Sequence, residues 1–278
     1  MRAVLVVAAV ALCVAGCSSS THRQGESPAP SLSTTTSVSS APSSSHSSST
    51  APSATPSASS THATPHHATP RPSPPSAAQL PLGYSTGSAT QIITVTTSVA
   101  SNTHATLQSW TRQGSGWQRI GPSVAANLGT DGMTARPSET LSATPEGSYT
   151  LTQAFGREAD PGTALPYRQT TPADWWISQS GPLYNTLQHC AAQCAFTLGE
   201  PNEHLYDMTP FYNFAVVIDY NTANSPTGVR QGAGSAFFLH VSDGAPTAGC
   251  VSIPSDQLVR IMRWLRPAAH PRILIGIA

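Results

Sequence analysis

Apolar and polar residues alternate through several short stretches after position 90, and this period of two predicts β-strands. The first predicted strand covers 91–100. The second stretch, 105–120, contains Gly114-Ser115-Gly116 and is predicted to be a hairpin that turns at these residues. Near-continuous apolar runs at 213–221 and 234–241 predict buried strands, and the second run places His240 at its end. The remaining predicted strands are 147–156 and 272–278.

One amphipathic helix is predicted after position 254. It is expected to be capped near Ser255 and to end before Pro267. Its apolar residues recur at i, i+3, i+4 and i+7, and they are Leu258, Ile261, Met262 and Leu265. Residues 121–212 read as long loops with short strands. Many strands with one helix predict a mainly β fold, a sandwich or barrel with a small helical element.

The first 16 residues have the charged start and short apolar core of a signal peptide, too short to span a membrane. Val-Ala-Gly-Cys resembles a bacterial lipobox, which implies that Cys17 becomes the lipidated N-terminus. An ordinary secretory signal is the alternative. Residues 17–82 consist largely of Ser, Thr, Ala and Pro, and we expect a disordered linker. Residues 83–278 then form one domain, held outside the cytoplasm by the lipid.

Composition excludes several classes of function. The chain has no lysine, and its 13 arginines are matched by 13 acidic residues, so no basic field for nucleic acid is expected. No strand, glycine-rich loop and helix follow one another in the manner of phosphate-binding or dinucleotide-binding folds. We therefore predict no cofactor, no metal and no nucleic-acid partner.

The cysteines fall into two groups. Cys190 and Cys194 lie close enough in HCAAQCAF to form a disulfide, which an oxidising compartment favours. A zinc site with His189 and His204 is the alternative, although no second pair of ligands with suitable spacing follows. Cys250 is left without a partner.

Cys250 and His240 are candidates for nucleophile and base. A free thiol is only slightly ionised at neutral pH, and a nearby imidazole can take its proton. Gly249 would let the backbone bend so that N–H groups form an oxyanion hole, and the following helix would favour negative charge nearby. The competing interpretation is a buried structural cysteine beside a core histidine. Four aromatic residues either line a substrate cleft or pack, and they are Tyr167, Trp175, Trp176 and Tyr184.

The stretch HVSDGAPTAGCVSIP (240–254) resembles the catalytic segment of YkuD-type L,D-transpeptidases, which has [Ser/Thr]-x-Gly-Cys at the nucleophile and a histidine upstream. The resemblance implies a YkuD-like β-sandwich or barrel, Cys250 as nucleophile, His240 as base, and Thr247 as the hydroxyl that supports the loop. Ala248 stands where the better-known branch has a second histidine. Similarity continues through TPEGSYTLTQAFG (144–156), 165–188, EHLYDM (203–208) and FAVVIDYN (214–221).

The resemblance implies an enzyme that joins peptidoglycan stem peptides through a thioester on Cys250. If water resolves the thioester, the same site is an L,D-carboxypeptidase. The alternative from another class is a non-catalytic lipoprotein that binds the wall. The imidazole of His240 would be oriented by a backbone carbonyl or another residue, with Ser242 and Asp243 as candidates. We expect a monomer whose partners are the cell wall and, through its lipid, the membrane.

Overall fold

A computed structural model describes residues 77–278 of the chain. The predicted signal peptide, the lipidation site Cys17 and the linker up to residue 76 lie outside the described residues. Ala78 exchanges backbone hydrogen bonds of 2.8 and 2.9 Å with Trp117, so contacts with the sheet begin before residue 83.

The fold is mainly β, with fifteen strands and one α-helix in the described residues. Two short 3-10 helices are present as well, Phe211–Asn213 and Pro267–Ala269. The helix α1 is Ser255–Trp264. The strands are β1 (Gln91–Thr97), β2 (His104–Gln113), β3 (Gly116–Asn127), β4 (Met133–Thr134), β5 (Thr144–Pro145), β6 (Gly147–Thr150), β7 (Ala154–Gly156), β8 (Tyr167–Gln169), β9 (Asp174–Ile177), β10 (Thr186–His189), β11 (Glu203–His204), β12 (Ala215–Val217), β13 (Phe238–Val241), β14 (Val251–Ile253) and β15 (Arg272–Ile277).

Ten strands form one curled sheet that resembles half a barrel, in the order β6-β15-β1-β2-β3-β14-β13-β12-β7-β8. Most neighbouring strands are antiparallel, whereas three pairs are parallel: β1 with β15, β13 with β14, and β7 with β8. A second sheet has the order β10-β9-β11, and β4 pairs with β5 alone. Along the chain, α1 lies between β14 and β15, which are separated by β3, β2 and β1 in the sheet.

The hairpin predicted at 105–120 is confirmed as β2 and β3, which turn at Gly114 and Ser115. The single strand predicted at 147–156 is wrong, because β6 and β7 belong to opposite ends of the sheet order. Leu151, between them, is completely buried and its N–H donates to Pro271 O at 3.0 Å. The strand predicted at 213–221 is shorter than expected, since only residues 215–217 pair in the sheet.

Helix α1 confirms the predicted amphipathic helix. Leu258 and Met262 are completely buried, and they join a core cluster with Leu239, Val251 and Ile253. Pro254 occupies the N-cap position and provides no side-chain hydrogen bond, so the cap predicted near Ser255 is not formed. Neither α1 nor any other helix of residues 77–278 is long and apolar enough to cross a bilayer.

Strand β13 separates two environments, because successive side chains of a strand point to opposite faces. Leu239 and Val241 face the cluster that contains α1. Phe238 belongs to a second cluster, which also holds Cys250 and Tyr212. His240 shares the face of Phe238, so the candidate site lies on the side of the strand opposite α1.

Candidate functional site

Cys250 and His240 line one pocket. His240 lies in β13, and Cys250 immediately precedes β14, the neighbouring parallel strand. Since Leu239 pairs with Val251, the register sets Cys250 beside Phe238, one alternation away from His240 on the same face. The two residues therefore lie side by side on adjacent strands, and residues 242–249 form the loop that connects them.

The loop before Cys250 is held by Thr247. Its hydroxyl donates to Cys250 O at 2.7 Å and accepts the Gly249 N–H at 3.0 Å. Its backbone is fixed to a neighbouring loop, because Thr247 N–H donates to Leu128 O at 2.8 Å. Thr144 adds a second hydroxyl on Cys250 O, at 3.3 Å. The main chain on both sides of the thiol is thereby restrained.

Gly249 has a φ of +131°, which L side chains rarely adopt. A Cβ at this position would also lie 2.8 Å from a ring carbon of Phe237. Its N–H is engaged by Thr247, so it is not directed at a substrate. Outside the strand ladders, the N–H of Cys250 has no hydrogen-bond partner among the described residues, which leaves it as the candidate oxyanion donor.

The thiol of Cys250 is hydrogen-bonded to main chain rather than to His240. It donates to Ala236 O at 3.3 Å and accepts the Phe238 N–H at 3.3 Å. Ala236 has a φ of +57°, an unusual conformation for a non-glycine residue. Its N–H donates to Asn185 Oδ1 at 3.1 Å, and Asn185 also accepts the indole N–H of Trp176. A buried polar network thus positions the carbonyl that binds the thiol.

Burial raises the pKa of the Cys250 thiol well above its ordinary value, and the negative charge of Glu203 raises it further. Burial also lowers the pKa of His240 to about 4, against the opposing effects of the Val241 carbonyl and Asp243. In this structure both groups are therefore neutral at neutral pH. The pair is a thiol and an imidazole, not a thiolate and an imidazolium.

A backbone carbonyl orients His240. The Nδ1 atom lies 2.9 Å from Val241 O, so Nδ1 carries the proton and Nε2 keeps a free lone pair. Ser242, one of the two side chains considered from the sequence, accepts hydrogen bonds from Asn127 at 2.6 Å and Gly244 at 2.9 Å. Asp243 accepts the Ala245 N–H at 2.9 Å. Neither side chain bonds to the imidazole.

Tyr212 connects the imidazole to a carboxyl group that the sequence did not single out. Its ring packs edge-to-face against His240, with centroids 5.5 Å apart, and against Phe238. Its hydroxyl donates to Glu203 Oε2 at 2.6 Å. Burial raises the pKa of Glu203 to about 7, and the charges of Glu200 and Glu139 add to this increase. Glu203 also lines the pocket.

The pocket has a volume of about 440 Å³ and opens between β13, the Thr247 loop and the segment around β11. Its aromatic walls are Phe211, Tyr212 and Phe237. Ala248 also lines the pocket. The four aromatic residues considered from the sequence do not line this pocket. Trp176 and Tyr184, for example, are buried packing residues.

The predicted disulfide between Cys190 and Cys194 is confirmed. Both cysteines pack against a small cluster that includes Trp175 and Phe196, apart from the cluster that holds Cys250. His204 Nδ1 lies 2.7 Å from Asp207 Oδ2 and His189 Nδ1 lies 3.0 Å from Asp174 Oδ1. The zinc alternative fails here, because the two thiols are bonded to each other. Within residues 77–278, no group of three or more His, Cys, Asp or Glu side chains could hold a metal ion.

Comparison of the chain with protein-family models finds no match. Comparisons with curated proteins and with solved structures find no match either.

Proposed function

We propose that the protein is a cysteine-dependent L,D-transpeptidase with a YkuD-like fold, acting on peptidoglycan stem peptides. The observation that carries the proposal is the pocket shared by Cys250 and His240, with a free lone pair on His240 Nε2. The Thr-x-Gly-Cys loop supports it, because its hydrogen bonds fix the main chain around the thiol. We further propose that the protein acts as a monomer outside the cytoplasm, anchored by lipid on Cys17.

In the first step, a stem peptide enters the pocket and the Cys250 side chain turns from Ala236 O toward His240. Nε2 takes the thiol proton, and the thiolate attacks the carbonyl that precedes the terminal D-alanine. The Cys250 N–H stabilises the oxyanion, a contribution that is worth about 3–4 kcal/mol in enzymes where single donors have been removed. The imidazolium then gives its proton to the departing amine, D-alanine leaves, and a thioester remains.

In the second step, an amine of another stem peptide attacks the thioester. The new amide bond forms, the carbon–sulfur bond breaks, and Cys250 recovers a proton. If water attacks instead, the product is a shortened stem and the activity is that of an L,D-carboxypeptidase. The outcome depends on which nucleophile reaches the thioester first.

Low intrinsic reactivity of the pair fits this sequence of events. A neutral thiol bound to a carbonyl reacts slowly until a substrate displaces that hydrogen bond. A non-catalytic wall-binding protein would have no use for a cysteine and a histidine that share a pocket. This feature favours the enzyme over the binding protein.

The test is to incubate the full chain with tetrapeptide-containing muropeptides and to search for a covalent adduct by mass spectrometry. We expect an acyl group on Cys250 with loss of D-alanine, followed by cross-linked or shortened products. The His240→Ala variant should acylate much more slowly. Absence of an adduct in folded wild-type protein would refute the proposal.

A further inference from the structure

Glu203 is a carboxyl group in the pocket that the steps above do not use. It lies in β11, far in sequence from Cys250, and is half-buried. Its Oε2 accepts the Tyr212 hydroxyl, whereas Oε1 accepts no hydrogen bond from the described residues. Tyr212 itself is fixed by its packing against His240 and Phe238. One carboxylate oxygen is thus anchored and the other is available to a ligand.

The position of Glu203 is unfavourable for Cys250 as a nucleophile unless another charge offsets that of the carboxylate. Glu203 is close enough to Cys250 for its negative charge to oppose formation of the thiolate. The surrounding protein offers no compensation, since no arginine lines the pocket and the chain has no lysine. Glu200 and Glu139, whose charges also act on Glu203, are negative as well. His240 also lines the pocket, but burial lowers its pKa to about 4 and keeps it neutral, so a positive charge beside Glu203 would come from a ligand.

We propose that Glu203 binds the ammonium group of the acyl acceptor and takes its proton before attack on the thioester. The inference rests on the proposed function and adds a specificity-determining residue to it. Water is neutral and needs no such partner, so Glu203 would favour cross-linking over hydrolysis. Binding of the ammonium also cancels the charge that opposes the Cys250 thiolate.

The proton transfers balance. The ammonium group begins with three protons. The first passes to the Glu203 carboxylate, and the neutral amine attacks the thioester carbonyl. The second passes from the tetrahedral intermediate to His240 and then to the departing Cys250 sulfur, and the third stays on the new amide nitrogen. Glu203 finally releases its proton to solvent.

The first experiment does not depend on transpeptidase activity. The full chain is treated with trimethylammonioethyl methanethiosulfonate and, separately, with its uncharged 3,3-dimethylbutyl analogue, and labelling of Cys250 is followed by mass spectrometry. The cationic-to-neutral rate ratio should fall about fivefold or more in Glu203→Gln, the effect of one charge at about 4 Å in water. Glu158→Gln, the same change at an exposed position outside the pocket, should leave the ratio unchanged.

Wild-type protein alone provides an independent readout. Because Glu203 ionises as the pH rises, the rate ratio should increase between about pH 6 and about pH 8.5. In Glu203→Gln the ratio should be flat over the same range. A ratio that is independent of pH in wild type, or equal in both proteins, would overturn the assignment even if one variant folds poorly.

The second experiment measures the partition of the acyl-enzyme between an amine acceptor and water. With a tetrapeptide donor, Glu203→Gln should raise the acceptor KM about tenfold, equivalent to about 1.4 kcal/mol. Acylation of Cys250 should proceed at the wild-type rate or faster. A merely structural role would slow both steps. If wild type forms no acyl-enzyme, the proposed function fails, and the reagent ratio still decides whether Glu203 selects cations.

Discussion

The two faces of strands β13 and β14 are both buried, yet they differ in chemistry. On one face, Leu239 and Val251 pack against Leu258 of α1, and all three are completely buried. On the other face, the buried residues include His240 and Cys250, which are 6 and 7% exposed. The same removal from water stabilises the first face and shifts the pKa values of the second. Burial alone therefore does not identify a core. What distinguishes the candidate site is that two buried groups with a desolvation cost, His240 and Cys250, share one pocket.

The largest expected effect concerns the sulfur itself. Cys250→Ser should abolish turnover of muropeptides, because a hydroxyl is far less acidic than a thiol and nothing nearby lowers its pKa. Folding should be retained, since a serine hydroxyl can replace both backbone hydrogen bonds of the thiol. Product analysis and thermal unfolding measure the two properties. Wild-type turnover in the purified variant would contradict the nucleophile assignment.

A substitution on the opposite face should affect stability instead. Leu258→Ala removes a completely buried side chain and should lower the free energy of unfolding by about 2–5 kcal/mol. Denaturant titration measures the change. The control Arg260→Ala removes only an exposed pair with Asp256 and should cost about 1 kcal/mol or less. If folded Leu258→Ala also loses Cys250 reactivity, the two faces are not independent.

Two titrating groups of the pocket should give opposite dependences of stability on pH. His240 has a depressed pKa, so its contribution is present above its ordinary value of 6.5 and is lost as the pH falls through about 4. The full effect is about 3 kcal/mol, because a tenfold change in an ionisation constant corresponds to about 1.4 kcal/mol. Glu203 has a raised pKa, so its contribution is present below 4.5 and is lost as the pH rises through about 7.

In wild type, the changes of stability with pH that His240 and Glu203 cause have opposite signs and should partly cancel. His240→Gln should leave a stability that decreases from about pH 4.5 to about pH 7, and Glu203→Gln one that increases over about pH 4 to pH 6.5. Denaturant unfolding at several pH values measures both. Slopes of the same sign in the two variants would show that the altered pKa values are assigned to the wrong groups.

The smallest effect is expected at the disulfide. Cys190 and Cys194 are separated by 4 positions, so the bond closes a short loop and should contribute about 2 kcal/mol or less. The double variant Cys190→Ser/Cys194→Ser should be slightly less stable, because its cluster with Trp175 is loosened. Thermal unfolding with and without reductant measures this effect. Alkylation of Cys250 should not change, and a large change would show that the two cysteine regions are coupled.

Much of the fold is readable from the sequence where a signal is local. The β2–β3 hairpin has alternation with a glycine turn, and α1 has apolar residues on one face, so the sequence predicts both. The strand predicted at 147–156 is wrong because its pattern does not record the break at Leu151, where the chain leaves β6 at one edge of the sheet for β7, the ninth of its ten strands. Residues 218–221 are buried like a strand but leave the sheet, and Asp219 accepts hydrogen bonds from Thr150 and Thr152 there.

For the candidate site, the sequence motif points to His240, Cys250 and the loop between them, all within 11 consecutive residues. It cannot point to Glu203 or Tyr212, because their approach depends on the second sheet and on aromatic packing across distant segments. The Ala236 carbonyl is equally hidden, since a backbone acceptor leaves no signature in residue type. The helix dipole is expected from the sequence to assist the thiolate, yet α1 packs on the opposite face.

The hydrogen bond from Cys250 to Ala236 O has a consequence for the discovery of covalent ligands of this pocket. Small electrophilic fragments react with the thiolate form, so a fragment screen is expected to score this cysteine as slow to react. An effective compound needs a hydrogen-bond donor that replaces the thiol at Ala236 O and so releases the sulfur. It also needs a carbonyl oxygen that accepts a hydrogen bond from the Cys250 N–H. The rate of labelling should therefore depend more on the hydrogen-bonding groups of a compound than on the reactivity of its electrophile.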